Sequence, residues 1–286
     1  MLATKQYSLN RQTDGAFTLT DFITVLAVLL ILGTIQWPSV ANTKGKGQVA
    51  NCLYNHRELV RAWESYAQDS GGTLVGNWDG GLVQTIANSN RTWVLGWFDF
   101  NGGNPFPSES GGFANTNTYA LTQLSPLAAY LGRRATAFRC PADTSLSLGT
   151  RGDPRVRSIS MNSYMGGNRA YTAGYKAFGK LSEINDPVPS RAFVFIDERE
   201  DSINDGAFQI DMGTAYTIVD YPADWHNRGA NLSFVDGHTE TWRWRDPRTI
   251  PPHRRGQLIP LGVSSANNPD VARIQAATSR RITSQN

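Results

Sequence analysis

The feature that most constrains this chain is an uncharged apolar run near its N-terminus, which extends from Phe22 to Ile35 (FITVLAVLLILGTI). With its flanks, residues 17–37, it would form a helix of roughly 31 Å, about the thickness of the hydrocarbon core of a bilayer. A buried core helix and a secretory signal peptide are the alternatives, but QWP at 36–38 is unlike the small-residue cleavage site of a signal peptide. The run therefore predicts a transmembrane helix over 17–37 that contacts membrane lipid, with Trp37 as an interfacial anchor.

An acidic residue, Asp21, lies immediately before this run. A carboxylate at membrane depth is unfavourable unless another charge pairs with it. A helix that served only as an anchor would gain nothing from Asp21. Its presence therefore predicts a partner charge.

The segment from Ala16 to Asp21 (AFTLTD), followed by the apolar run, resembles the prepilin cleavage and methylation segment of type IV pilins and type II secretion pseudopilins. In those families a Gly precedes Phe-Thr-Leu-Ile-Glu and a long apolar stretch. The resemblance implies that a prepilin peptidase cuts between Ala16 and Phe17, that the new amine of Phe17 is N-methylated, and that Asp21 pairs with the terminal amine of a neighbouring subunit. This chain has Ala16 in place of Gly and Asp21 in place of Glu, and Gly15 offers an alternative cut.

The same resemblance implies a cytoplasmic leader over 1–16 and a single-pass inner-membrane protein whose body lies in the periplasm or at the cell surface. Prepilin peptidase and other pilin-like subunits, in homo- or hetero-filaments, are the partners that it implies. The charges flanking the run do not decide the orientation by themselves, because cations both precede and follow it.

A second helical segment is predicted over 49–70, where apolar residues recur every three or four positions until Gly71 and Gly72 end the pattern. Pro38 predicts a break near Trp37, between this segment and the apolar run. The recurring positions should pack on the globular body, with His56 among them as a core histidine rather than a ligand. They are Val49, Cys52, Leu53, His56, Leu59, Val60, Trp63, Tyr66 and Ala67.

The remaining chain predicts an α+β body over 71–245, in which the long N-terminal helix packs on a small antiparallel sheet with large Gly- and Trp-rich loops, a pilin-like arrangement. The best candidate for a buried strand is the apolar run at 191–196, and a second strand is expected at 158–164.

Charged residues make up 18% and aromatic residues 10% of the chain, which excludes a disordered protein. The mean hydropathy of −0.37 excludes several membrane spans. Core packing is the favoured role of Trp78, Trp93 and Trp97, and a sugar-stacking surface is the alternative.

The most specific motif in the second half begins at His226 and reaches Asp236-Gly237 after nine intervening residues. It resembles the H-x(9)-DG element of a group of prepilin-type proteins found in planctomycete-like and verrucomicrobial bacteria. Asp236-Gly237 predicts a two-residue hairpin turn in which both residues have positive φ. A structural hairpin is favoured over a catalytic or metal-binding set of His226, Asp236 and His238.

The two cysteines, Cys52 and Cys140, exclude a disulfide-dense scaffold and permit one bridge, which the sequence neither requires nor excludes. Cys140 lies in a Cys-Pro loop with no second Cys or His close to it in the sequence, so its spacing does not predict zinc.

A cluster of oxygen-bearing side chains follows the strand predicted at 191–196 and is compatible with calcium. A turn without metal is the alternative, because Asn204-Asp205-Gly206 is typical of turns and the spacing is not that of an EF-hand. The candidate calcium ligands are Asp197, Glu198, Asp201, Asn204 and Asp205.

The segment 246–286 carries six arginines against Asp246 and Asp270, a net charge of +4, compared with +3 for the whole chain. It predicts a basic tail with a short helix that starts after an Asn268 cap, with Pro269 in its first position. Anionic lipid, polysaccharide and DNA are the partners that such a charge would suit.

These observations lead to three functional hypotheses. The first is a structural pseudopilin- or pilin-like subunit, without enzymatic activity or cofactor, that is processed by a prepilin peptidase for a type II secretion or type IV pilus-like assembly. The second is a membrane-anchored extracytoplasmic module that binds polysaccharide or DNA and does not polymerise. The third is an anchored hydrolase that uses His226 and nearby acids.

Overall fold

The fold is described from a computed structural model, which covers residues 18–105, 113–167 and 171–282, without the side chains of 33–44. The chain divides into two compact units, Met1–Lys44 and Gly45–Asn286. The predicted cleavage and methylation site at Ala16 and Phe17 lies outside the described residues.

Helix α1 extends over Leu19–Asp69. Its N-terminus is capped by Thr18 and Asp21: the Thr18 N–H and hydroxyl donate to Asp21 Oδ2 at 2.9 and 2.7 Å, and the Asp21 N–H donates to Thr18 Oγ1 at 3.2 Å. This reciprocal pair is a capping box. Asp21 thus has a partner within its own chain, and these hydrogen bonds lower the pKa of its carboxyl. The helix bounds also include Pro38, so the break that the sequence predicts near Trp37 is wrong.

The transmembrane helix predicted over 17–37 is wrong. Among the residues that the structure describes, no helix has an apolar segment of the length that a bilayer crossing requires. The single-pass inner-membrane location that depended on this helix is corrected with it.

The α1 residues that belong to the second unit pack on the body as their periodicity predicts. Leu59, Val60, Trp63 and Ala67 are buried in one core cluster, together with residues of the sheet described next. His56 is also fully buried, and its ring is hydrogen-bonded rather than packed only against apolar groups.

The body contains one five-stranded sheet in the order β3-β1-β2-β4-β5. Its strands are β1 (Ile159–Asn162), β2 (Phe193–Asp197), β3 (Ala207–Phe208), β4 (Gly229–Phe234) and β5 (Thr239–Arg243). The expected antiparallel sheet is wrong in one respect: β1 and β3 are parallel, so the sheet is mixed. The remaining pairs are antiparallel.

The sheet carries a core cluster on each side of its central strands. One cluster joins Trp63 of α1 to Met161 of β1 and Phe195 of β2. The other joins Leu232 of β4 and Trp242 of β5 to residues that include Ile274 of the C-terminal segment. Every residue of β2 and β4 is buried. A polar side chain on these two strands therefore lies in the interior.

The turn between β4 and β5 differs from the predicted two-residue turn. Gly237 has φ +86°, and Asp236 is not among the residues with positive φ. Phe234 accepts from the Gly237 N–H at 2.9 Å and donates to the His238 carbonyl at 3.0 Å. This is a three-residue loop in which only the glycine occupies the left-handed region.

The C-terminal segment packs against the body rather than forming only a solvated tail. Helix α2 covers Pro269–Ala276, and the Asn268 side chain accepts from the N–H groups of Asp270 and Val271, which confirms the predicted cap. Arg273 lies 3.6 Å above the Trp242 ring, where the ring face attracts a cation.

Of the three tryptophans predicted either to pack in the core or to form a sugar-stacking surface, one is fully buried. Trp93 is fully buried and lies against Phe138 and Phe195 at ring distances of 5.8 and 5.1 Å. Trp78 and Trp97 are partly buried. The core interpretation is thus confirmed for Trp93.

Position 229, the first residue of β4, requires a glycine, because the backbone of β5 passes too close to leave room for a Cβ. A Cβ at this position would lie 2.4 Å from the Trp242 carbonyl oxygen. We expect Gly229→Ala to lower the free energy of unfolding by about 1–3 kcal/mol, because β5 would have to move. Gly81→Ala, whose Cβ meets open space, is the control, and equal effects of the two changes in urea unfolding would contradict this account.

Candidate functional site

A buried carboxylate, Asp197, is the centre of the most polar part of the core. It is the last residue of β2 and has no exposed surface. Its Oδ1 lies 3.0 Å from His56 Nε2, and its Oδ2 accepts from the Asn231 N–H at 2.9 Å. Helix α1 and strand β4 therefore both contact this one side chain.

Three further ligand-type side chains surround Asp197, each from a different part of the fold. Cys52 comes from α1, four residues before His56 and hence on the same helical face. Cys140 comes from a loop whose position is set by a hydrogen bond from its N–H to Ser158 Oγ at 2.9 Å. His226 precedes β4, in a turn where Asn227 and Arg228 have positive φ.

The four groups converge closely. Cys52 Sγ is 3.3 Å from each carboxylate oxygen of Asp197. Cys140 Sγ is 3.2 Å from His226 Nε2, which is in turn 3.5 Å from Asp197 Oδ2. One ligand atom from each of the four lies within 4.8 Å of the others, and all four residues are buried. Such a set could hold one metal ion.

Each ionisable group in this cluster is perturbed by the others. Burial disfavours ionisation of Asp197, but His56 and His226 outweigh it and hold the pKa of that carboxyl well below its usual range. Burial also opposes protonation of His226, but hydrogen bonds to Asp197 and Cys140 raise its pKa to about 10. The pKa of Cys52 is raised by burial and by its neighbours Cys140 and Asp197. The pKa of Cys140 is lowered because Cys52 and His226 outweigh burial.

The geometry differs from that of a cysteine–histidine–aspartate relay. In such a relay one ring nitrogen of the histidine faces the nucleophile and the other faces the carboxylate. Here Cys140 and Asp197 both approach Nε2 of His226. The groups therefore converge on a common point, an arrangement suited to ligation rather than to proton transfer along a chain.

The structure separates the residues of the sequence-predicted sets. His226 is buried in the cluster, whereas Asp236 and His238 pair with each other at 2.5 Å on the exposed hairpin loop. Of the candidate calcium ligands, Asp197 faces the cysteines. Glu198 accepts from the Ser202 hydroxyl, Asp201 pairs with Arg199, and Asp205 accepts from backbone N–H groups. The five side chains have different partners and do not surround one point.

A second group of ligand-type side chains lies at the edge of the body. His253 Nε2 is 2.8 Å from Asp224 Oδ1, and its Nδ1 is 3.0 Å from Glu200 Oε1. Glu200 and His253 also lie close to Asp201. The hydrogen bonds to Asp224 and Glu200 raise the pKa of His253 to about 9.

Sequence reasoning found each member of the main cluster but not the cluster itself. The sequence predicts Cys52 as a packing position, leaves a Cys52–Cys140 bridge open and does not predict zinc at Cys140, whereas the structure shows two buried free thiols. His56 was assigned to the core and His226 to the hairpin. The sequence does contain a signal for such a site. An acid ends a predicted buried strand, and two cysteines and two histidines occupy positions predicted to be structural.

No protein-family model matches this chain, and comparisons with curated proteins and with solved structures also find no match. The site must therefore be interpreted from its own chemistry.

Replacement of Asp197 by Asn should be strongly destabilising. The change removes a buried negative charge that faces two histidines and one backbone N–H, and it leaves their buried polar atoms without compensation. We expect a loss of about 3–5 kcal/mol in the free energy of unfolding. Urea denaturation measures it, with Asp236→Asn on the exposed loop as the matched control. A similar small effect of both changes would contradict the central role of Asp197.

The His253 cluster should give the stability a dependence on pH. Because the folded pKa is raised to about 9 from an ordinary value of 6.5, the stabilisation is complete below about pH 6.5 and is lost as the pH rises through about 9. We therefore expect His253→Gln to destabilise the protein more at about pH 6 than at about pH 9.5. Urea unfolding at both values tests this, with His238→Gln as the control. An equal loss at both pH values for His253→Gln would contradict it.

Proposed function

We propose that this chain is a pilin-like structural subunit that assembles through the exposed apolar segment of helix α1, residues 19–32, with the same segment of neighbouring subunits. The globular unit then presents the surface that distinguishes this subunit from others. Processing by a prepilin peptidase between Ala16 and Phe17 is part of this proposal, and it rests on the resemblance of the N-terminal segment.

The observation that carries the proposal is the exposure of large apolar side chains between residues 19 and 32. Their exposed fractions lie between 48% and 76%. Helical positions advance by about 100° per residue, so this segment has no broad polar face. The exposed residues include Leu19, Phe22, Ile23, Val25, Leu26, Val28, Leu29, Leu30 and Leu32.

A helix that is apolar around its whole circumference is stable when neighbouring elements cover all its sides. An exposed apolar surface of this extent typically marks an interaction site. Burial of apolar area is worth about 25 cal/mol per Å², and several copies of one helix can cover each other. Helix–helix packing with other subunits is therefore the assembly mode that this segment favours.

Asp21 fits this proposal in two ways. It caps α1 through Thr18, which stabilises the exposed helix end. It also carries a negative charge at that end, where the amine of a processed neighbouring subunit would find a partner.

Assembly predicts concentration-dependent association of the full chain that depends on this segment. We expect sedimentation velocity to show oligomers for the wild type and monomers for the double variant Leu26→Glu with Leu29→Glu. These positions lie on one helical face, and two charges there would be desolvated by packing. The melting temperature of the globular unit should not change.

A matched control applies the same chemical change to exposed leucines of the body. Leu82 and Leu258 are each 43% exposed, and Leu82→Glu with Leu258→Glu should retain the wild-type association. A wild type that stays monomeric at all concentrations would refute the proposal. Equal dissociation of the control variant would refute the assignment of the interface to α1.

A further inference from the structure

We propose that Cys52, Cys140, Asp197 and His226 form a structural zinc site. The inference goes beyond assembly, because it concerns what stabilises the globular unit. It depends on the positions of four ligand atoms and on the donors around them.

The spacing of the ligand atoms fits a tetrahedral ion. Zinc bonds of about 2.3 Å to sulfur and about 2.0–2.1 Å to nitrogen or oxygen place neighbouring ligand atoms of a tetrahedron about 3.3–3.8 Å apart. The observed separations are 3.3 Å for Cys52 Sγ to Asp197, 3.2 Å for Cys140 Sγ to His226 Nε2, and 3.5 Å for His226 Nε2 to Asp197 Oδ2. The remaining pairs of ligand atoms lie within 4.8 Å of one another, so the side chains would close around the ion to complete the coordination.

The donor set selects zinc among common ions. Two sulfurs and an imidazole nitrogen favour zinc, whereas calcium and magnesium take oxygen ligands. Four protein ligands complete the coordination of zinc, so no position remains open for a substrate. A site of this composition is therefore structural.

The charge of the ligated state also suits a divalent cation. Ligation requires two thiolates and one carboxylate, which together place three negative charges in a space where all the residues are buried. Buried charges are strongly unfavourable without compensation. A divalent cation at the common point supplies that compensation and replaces repulsion between the ligands by attraction.

Groups outside the ligands are arranged as a zinc site requires. The Ala142 N–H approaches Cys140 Sγ at 3.4 Å, and the Asn231 N–H donates to Asp197 Oδ2 at 2.9 Å. His56 Nε2 contacts the other carboxylate oxygen at 3.0 Å. Such outer contacts orient ligands and strengthen metal binding.

The site would join four separate segments of the unit. Cys52 lies on α1, Cys140 in the Cys-Pro loop, Asp197 at the end of β2, and His226 before β4. Zinc would therefore hold the helix, the loop and the sheet together. Its removal should lower the melting temperature of the unit and expose both thiols to alkylation.

The first experiment measures metal in the full chain, purified under reducing conditions without chelator. We expect elemental analysis to find one zinc per chain. After zinc is removed with a chelator, added Co²⁺ should produce the charge-transfer absorption of cobalt–thiolate bonds and the intense visible bands of tetrahedral cobalt.

Variants then test the ligands. Cys140→Ser and His226→Gln should reduce zinc from one per chain to nearly none, whereas His238→Gln, on the exposed loop of the same hairpin, should retain it. If the ligand variants do not fold, alkylation of the wild type decides the matter: both cysteines should react only after chelation.

Three results would overturn the proposal. They are a wild type without zinc that also fails to bind Co²⁺ after reduction, an intact mass that shows a Cys52–Cys140 disulfide in place of metal, and equal zinc content in the ligand variants and the wild type.

Discussion

The interaction on which the globular unit depends is the contact of the buried Asp197 carboxylate with groups from distant parts of the chain. It meets His56 and Cys52 from α1, His226 from the turn before β4, and the backbone N–H of Asn231 within β4. A buried charge is tolerated only where its partners are fixed. The Asp197 side chain therefore links the register of β2 against β4 to the position of the Cys52–His56 turn of α1.

The exposed apolar segment of α1, residues 19–32, obeys a different constraint. The side chains of 19–32 are exposed, and the interior of the globular unit is built from other residues. The first region exposes apolar side chains, whereas in the second the helix face of α1, the sheet and α2 cover one another. One chain thus combines an exposed apolar helical segment with a globular unit that has its own apolar core.

A second buried polar region lies near the first but has a different character. Burial raises the pKa of Glu198 to about 8 and that of Asp205 to about 6, and it lowers the pKa of Arg157 to about 10. Arg157 donates to the Asp205 carbonyl and lies 4.5 Å above the Phe98 ring. These groups hold the loop at 198–206 against the sheet through charge and hydrogen bonds. Glu198, Asp201 and Asp205, which the sequence analysis proposes as calcium ligands, therefore stabilise this loop through separate partners.

Several elements of this protein follow from short stretches of sequence. The period of α1 over 49–70, the buried strand near 193–197, the hairpin around Gly237 and the Asn268 cap all depend on neighbours in the chain. The capping box of Thr18 and Asp21 also depends on neighbours in the chain, although the sequence predicts for Asp21 a partner charge at membrane depth. The predicted membrane span is wrong, since no helix among the described residues is long and apolar enough to cross a bilayer.

The polar core was decided only by the tertiary structure. Cys52 and Asp197 are separated by 145 residues, and Cys140 and His226 by 86. No local spacing brings them together, so the absence of a nearby ligand beside Cys140 was uninformative. The strand order β3-β1-β2-β4-β5 places the end of β2 beside β4 and beneath α1. By itself the sequence determined the periodic elements and their caps, because these depend on local geometry; tertiary packing decided which ionisable side chains share one buried space.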